Sequence, residues 1–234
     1  MSKILAVIPA RKGSVGVPGK NTKEIAGKPL VRWTIDAAVK CDLIDNIVIS
    51  TDIEEIFGWE LDSKVEVVTR PAEQATNTAQ LEDIMLSIAR RCSIKYDDII
   101  LIQPTSPLLL AEDLTGGITK YNNEPYYTSL LSASKSKSFL WDKCFPWEDK
   151  NKYLLPKNYN PGQRPRRQEL NGYYVENGAF YITSIRNLFA DKCRIGGWKI
   201  GVYEMPLSRS LELDEADDFK IIEALLEKQN GSTT

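Results

Sequence analysis

The chain has 234 residues, 42% of them hydrophobic and 26% charged, with a formal net charge of -2. That balance describes a globular domain and excludes a bulk positive field for holding nucleic acid or an anionic membrane. Histidine is absent, which excludes Ser-His and Cys-His hydrolases and every zinc site built on imidazole.

In chain order, residues 4–8 form a short apolar run ending in Pro9, as a buried strand does. Leu30, Trp33, Thr34, Ala37 and Ala38 recur at helical spacing. Strands follow at residues 47–49, ending in Ser50, Thr51 and Asp52, and at residues 65–68. The clearest helix covers residues 79–91, with Leu81, Ile84, Met85, Ile88 and Ala89 on one face and Asn77 or Thr78 as its cap. Residues 99–102 are another buried strand, followed by Gln103, Pro104, Thr105, Ser106 and Pro107 and a helix through Leu114 and Ile118. Residues 134–172 have no clean period and are rich in Lys, Asn, Pro, Trp and Tyr. A segment of that length needs a partner or a ligand to explain it. Alternation resumes with a strand at residues 179–182, a short helix after Ser184, a strand at 198–203 and a last helix at 214–228, buried through Phe219, Ile222 and Leu226. The expected fold is α/β: a mostly parallel, Rossmann-like sheet with helices on both faces. Residues 1–133 and 173–234 form its core, and 134–172 are an insert. Ligands of such sheets sit at the carboxyl ends of the strands, where the polar clusters after Ile8, Ile49 and Ile102 fall.

The loop after the first strand, RKGSVGVPGKN at residues 11–21, places Gly13, Gly16 and Gly19 three apart between Arg11 and Lys20. Glycines let the backbone approach a ligand and turn N–H groups toward an anion. The flanking cations suit a triphosphate, whose transfer chemistry depends on positioning and charge neutralisation. A Walker A loop has four residues between its glycines and Ser or Thr after the lysine; here there are five, then Asn21. G-x-G-x-x-G is not matched either. The alternative is a surface turn carrying two solvated cations. Cys41, Cys92, Cys144 and Cys193 form no C-x-x-C pair, so reduced thiols are expected rather than a thiolate metal site. Any metal must be held by carboxylates, which points to Mg2+ or Mn2+. The opening residues are too short an apolar stretch for a signal peptide, and no run approaches membrane-spanning length. A cytoplasmic location is expected.

The run IPARKGSVGVPGKN resembles the opening of the CMP-sialic acid synthetases, the N-acylneuraminate cytidylyltransferases. The resemblance continues in family order through STD (50–52), RPAE (70–73), QPTSP (103–107), RPRRQ (164–168), ENGAFY (176–181) and SLELDEADDF (210–219). It implies transfer of CMP from CTP to a nine-carbon sialic-type acid with release of pyrophosphate, assisted by Mg2+ or Mn2+, in a homodimer. By resemblance, Arg11 and Lys20 contact the triphosphate, with Gly13, Ser14 and Asn21 beside them. Arg70 helps hold the nucleotide, and Asn77, Thr78, Ala79 and Gln80 border the cytosine. The family more often has Asp and Ser where this chain has Asn77 and Gln80.

On the sugar side the resemblance implies Gln103, Thr105 and Ser106, with Arg164, Arg167, Gln168, Asn177 and Tyr181. Many bacterial members carry Arg where Leu109 stands. Residues 164–168 hold a dense basic patch, and an arginine fork matches a sugar carboxylate. Trp141, Phe145 and Trp147 lie in the segment that makes the family's dimer contact. Glu212 and Asp214, two apart, share one face of an extended strand and can share a divalent ion, although Asp214 alternatively caps the last helix. The family usually has two aspartates here. The catalytic set is then Arg11, Lys20 and Asp214. The nearest rivals are enzymes of the same chemistry acting on Kdn, legionaminate, pseudaminate or Kdo. A non-catalytic nucleotide- or glycan-binding module is a rival of another class.

Overall fold

The computed structural model describes residues 2–14, 16–76, 78–92, 95–144 and 153–231. In chain order the strands and helices are β1 (Ile4–Ala10), β2 (Glu24–Ile25), β3 (Lys28–Pro29), α1 (Leu30–Val39), β4 (Asn46–Thr51), α2 (Glu54–Phe57), β5 (Val65–Thr69), α3 (Leu81–Cys92), β6 (Asp98–Ile102), α4 (Ala111–Asn123), β7 (Ser129–Ser136), β8 (Trp141–Cys144), β9 (Tyr153–Pro156), β10 (Tyr173–Ser184), α5 (Ile185–Asp191), β11 (Ile200–Glu204) and α6 (Ala216–Gly231). Among the described residues, seven strands form one sheet in the order β11-β7-β10-β6-β1-β4-β5. All are parallel except β10, which runs against both of its neighbours. The expected mostly parallel α/β sheet is observed.

Strand β1 lies centrally and is buried along its whole length. Its period of two sends Ile4, Ala6 and Ile8 to one face, where they pack with Val31 and Ile35 of α1 and Leu114 and Ile118 of α4. Leu5 and Val7 go to the other face, against Ile84, Met85 and Ile88 of α3 and Leu188 of α5. Helices therefore cover both faces, and continuous apolar strands are the outcome.

A third cluster joins Val17 of the phosphate loop to Ile25, Leu30, Leu108, Leu213 and the α6 residues Phe219, Ile222 and Leu226. This cluster fastens the loop after β1 to the end of the chain.

The boundary expected at residue 133 falls inside β7, which runs on to Ser136. The segment thought irregular contains the β8–β9 hairpin, whose register pairs Trp141 with Pro156. Phe145 and Trp147, expected at a dimer contact, lie outside the described residues, as does Asn77.

Candidate functional site

At the carboxyl ends of β1, β5 and β6 lies a cleft of about 370 Å³. Of the residues singled out in the sequence, Arg11, Ser14, Lys20, Asn21, Arg70, Ala79, Gln103, Thr105 and Asp214 line it. Gly16, Gln74, Thr76, Leu81, Ile84, Pro9 and Pro104 complete the wall. Gln74 and Thr76 were not foreseen; they continue the loop that the RPAE motif opens, which was the available signal.

The two ends of the chain meet here. Lys20 Nζ donates to the Leu213 carbonyl at 2.7 Å and lies 3.4 Å from Asp214 Oδ1. Leu213 N donates to Thr105 O at 2.8 Å, fixing the acidic strand beside the loop after β6. The contact between loop and strand is close: a Cβ on Gly16 would stand 2.1 Å from the Asp214 carbonyl oxygen. Only glycine fits that position. Gly19 takes φ 65°, turning the chain into the short turn that carries Lys20 and Asn21. Asn21 is buried and donates from Nδ2 to Arg11 O at 2.8 Å, closing the base of the loop.

Arg11 Nη1 donates to Thr76 O at 2.8 Å, tying the phosphate loop to the opposite wall. Arg70 is 4% exposed, and its Nε has no hydrogen-bond partner among the described residues. Burial pulls its guanidinium down to about 10, with Asp52 opposing the shift and Arg11 adding to it. A buried cation with a spare donor beside a second cation is chemically suited to an anion.

On the other side, Gln103 N and Nε2 donate to Ala179 O and Gly178 O at 3.0 and 2.7 Å. Burial, then neighbouring Asp214 and Glu176, push the Glu212 carboxyl above its usual range, with Lys20 opposing. Asp218, rather than Asp214, bonds the backbone ahead of α6, accepting from Asp214 N and Glu215 N at 2.9 and 2.7 Å. Those two bonds hold the Asp218 carboxyl below its usual range. Asp214 is thereby left with its carboxylate beside Lys20.

The remaining residues lie elsewhere. Gly13, Thr78 and Gln80 are exposed at the loops' outer sides, and Ser106 is buried with its Oγ unpartnered among the described residues. Arg167 and Gln168 sit in an exposed turn in which the Gln168 carbonyl accepts from Lys137 Nζ at 2.7 Å. Arg164 stacks over Phe139 at 4.4 Å. None of the three lines the cleft. Tyr181 is buried, its hydroxyl donating to Glu176, its ring covered by Arg194 at 4.6 Å. Burial, then the Glu176 bond, push its phenol well above the usual tyrosine range. Arg194 in turn pairs with Glu82 at 2.6 Å. Asn177 is buried and spends its amide inside the fold.

The chain is similar to known proteins in both sequence and fold. N-acylneuraminate cytidylyltransferase A of Danio rerio is 33% identical over 220 residues, covering 94% of this chain and 50% of the relative. CMP-N,N'-diacetyllegionaminic acid synthase of Legionella pneumophila is 28% identical, covering 96% of this chain and 97% of the relative. The chain spans about half the length of the first curated relatives it matches. A solved CMP:2-keto-3-deoxy-manno-octonic acid synthetase complexed with CTP shares the fold with a TM-score of 0.67 at 18% identity, covering 97% of this chain and all (100%) of the other. A family model described as Cytidylyltransferase matches residues 5–230, and the chain belongs to that family.

Proposed function

We propose that the protein transfers CMP from CTP to a sialic-type nonulosonic acid and releases pyrophosphate. The observation that carries the reading is the cleft in which Arg11, Lys20 and Arg70 face one another, with Asp214 3.4 Å from the Lys20 ammonium. Clustered cations beside a carboxylate able to hold a metal suit in-line attack on a metal-bound triphosphate. The acceptor is taken from the relatives, several of which carry the name N-acylneuraminate cytidylyltransferase.

In this mechanism Arg11, Lys20 and Arg70 hold the triphosphate and offset charge developing on the departing pyrophosphate. The anomeric hydroxyl of the sugar attacks the α-phosphorus, and the bond to the pyrophosphate oxygen breaks. Gln74 and Thr76, on the loop tied to Arg11, border the nucleotide. Asp214 and Glu212 would hold Mg2+ or Mn2+. Glu212 is half-buried beside the exposed Asp214, and the pair is a hard-oxygen donor set that a divalent cation would relieve. Mg2+ characteristically takes one or two carboxylates and completes its shell with phosphate and water. Asp214 and Glu212 supply that number; no cluster of three or more metal-binding side chains occurs among the described residues. When bound, the ion supplies Lewis-acid charge at the phosphates.

The homodimer and the cytoplasmic setting belong to the same proposal. Trp141, Leu154, Leu155, Tyr174 and Val175 are exposed on β8, β9 and the start of β10, and their apolar area supports a subunit contact. Cys41, Cys92 and Cys193 are free thiols, as in a reducing compartment. Among the described residues no helix is long and apolar enough to cross a membrane.

The matched length of the legionaminate-type relative favours a second reading of the acceptor, a diacetylated nine-carbon acid. One assay decides both: CTP and Mg2+ with N-acetylneuraminate, Kdn, legionaminate, pseudaminate and Kdo, following pyrophosphate. Release with N-acetylneuraminate is expected. CTP binding without release on any acid would sink the enzyme reading.

A further inference from the structure

Strand β10 loses step with β7 beside the cleft. Glu176 pairs with Ala133 and Tyr181 with Leu131, so an advance of five residues on β10 meets two on β7. Bulges of this kind re-aim side chains and end pairing next to sites. At the middle of this one, Gly178 takes φ 63°, and its carbonyl accepts from Gln103 Nε2 at 2.7 Å. A Cβ there would stand 2.0 Å from Glu212 Oε1. Both the left-handed backbone and the missing side chain are therefore needed, one to turn the carbonyl to Gln103 and one to admit the Glu212 carboxylate.

What pins the bulge is the preceding residue. Asn177 is 4% exposed. Its Oδ1 accepts from Ser132 Oγ at 2.7 Å and from Ala179 N at 3.3 Å. Its Nδ2 donates to Ser210 Oγ at 2.9 Å and lies 3.3 Å from Met205 Sδ. Ser132 Oγ also accepts from Phe180 N at 2.9 Å. One amide thus joins β7, both arms of the bulge and the turn that leads to Glu212. Buried polar networks that are fully bonded specify one geometry, and half-broken ones do not.

We infer that Asn177 is a positioning residue for the acceptor side of the cleft, acting through Gly178 on Gln103. This rests on the proposed function. It also defines what Gln103 asks of the acceptor. With one Nε2 proton committed to Gly178, Oε1 receives no hydrogen bond among the described residues and is left to meet the ligand. An amide oxygen accepts only. The group that Oε1 reads is a donor, a hydroxyl or an amide N–H of the sugar, while the second Nε2 proton stays available to an acceptor.

The test is a double-mutant cycle on Asn177→Ala and Gln103→Ala, reading kcat/KM for the acid and KM for CTP separately. Asn177→Ala is expected to lose about tenfold to a hundredfold in kcat/KM for the acid, the cost of a displaced group, with KM for CTP nearly unchanged. In the Gln103→Ala background the same change is expected to cost far less. Losses that multiply, or that fall equally on both substrates, would overturn the inference. If Asn177→Ala does not fold, Ser210→Ala, which removes one bond of the network, carries the same expectation. If the unaltered protein turns over none of the acids, the proposed function fails. A crystal structure of Asn177→Ala then decides: Gly178 leaving positive φ and Gln103 turning from its carbonyl supports the inference, and an unchanged bulge overturns it.

Discussion

Lys20 is the residue on which the site's charge balance turns. Its side chain is 12% exposed, and its ammonium spans a backbone carbonyl and the Asp214 carboxylate. Lys20→Ala is expected to lower kcat by about 10²–10³ or more, the scale for removing one preorganised charge-stabilising group. Its melting temperature should fall only modestly: the Asp214 end of the ion pair is exposed, so the main loss is the largely buried lysine stem and its bond to Leu213 O. Near-normal pyrophosphate release from a folded variant would refute the assignment. Arg70 predicts the opposite division between binding and stability. Burial already disfavours its charge, and its Nε has no hydrogen-bond partner among the described residues. Arg70→Leu is therefore expected to raise KM for CTP about tenfold or more, as loss of a buried charge-assisted bond does. The ligand-free protein should melt no lower, and higher if the relieved charge outweighs lost contacts. A lower melting point with unaltered CTP affinity would contradict it. Lys20 was legible because it flanks a glycine loop, whereas Arg70 was legible only through the resemblance carried by RPAE. Asn177 was legible only as a name in a motif. Its chemistry, an amide turned inward to Ser132 and Ser210, depends on partners 45 and 33 residues away, which local pattern does not encode.

Among the elements, α4 shows how closely the layers meet. A Cβ on Gly116 would lie 2.6 Å from the Tyr203 ring, and one on Gly117 2.5 Å from Phe180. Glycine normally weakens a helix interior by up to about 1 kcal/mol relative to alanine. Here it lets the helix settle onto aromatic side chains of β10 and β11. Gly117→Ala is expected to cost about 1–3 kcal/mol, the range for overpacking, in spite of its better helix propensity. Urea denaturation measures this, and a stabilised variant would show that the layer yields. Strands β1, β4 and β6 were readable because their apolar runs are unbroken. Strand β7 was blurred by serines: Ser129, Ser132 and Ser134 are buried. Ser129 Oγ donates to Gly196 O, and Ser132 Oγ bonds Asn177 and Phe180. A strand that satisfies hydroxyls internally does not announce itself by hydrophobicity.

Taken whole, the molecule joins cations from the first strand's loop with carboxylates from near the far end. Ligand and ion should then stabilise it cooperatively. CTP with Mg2+ is expected to raise the melting temperature more than the separate additions together, and EDTA should remove the excess and abolish turnover. Additive shifts would place the ion outside the nucleotide site. The parallel sheet and its two helical layers followed from alternation of apolar segments. The reversal of β10 did not, since strand direction is fixed by connections and pairing rather than by composition.

The bond from Lys20 to Leu213 and Asp214 spans 193 and 194 positions of chain. During synthesis the glycine loop leaves the ribosome well before its counter-charges, which follow 193 and 194 positions later. A nascent chain can thus display the cationic half of the cleft long before it can do chemistry there. Competence arrives in a single late step, and a product truncated before Glu212 should be inert however well its sheet has formed.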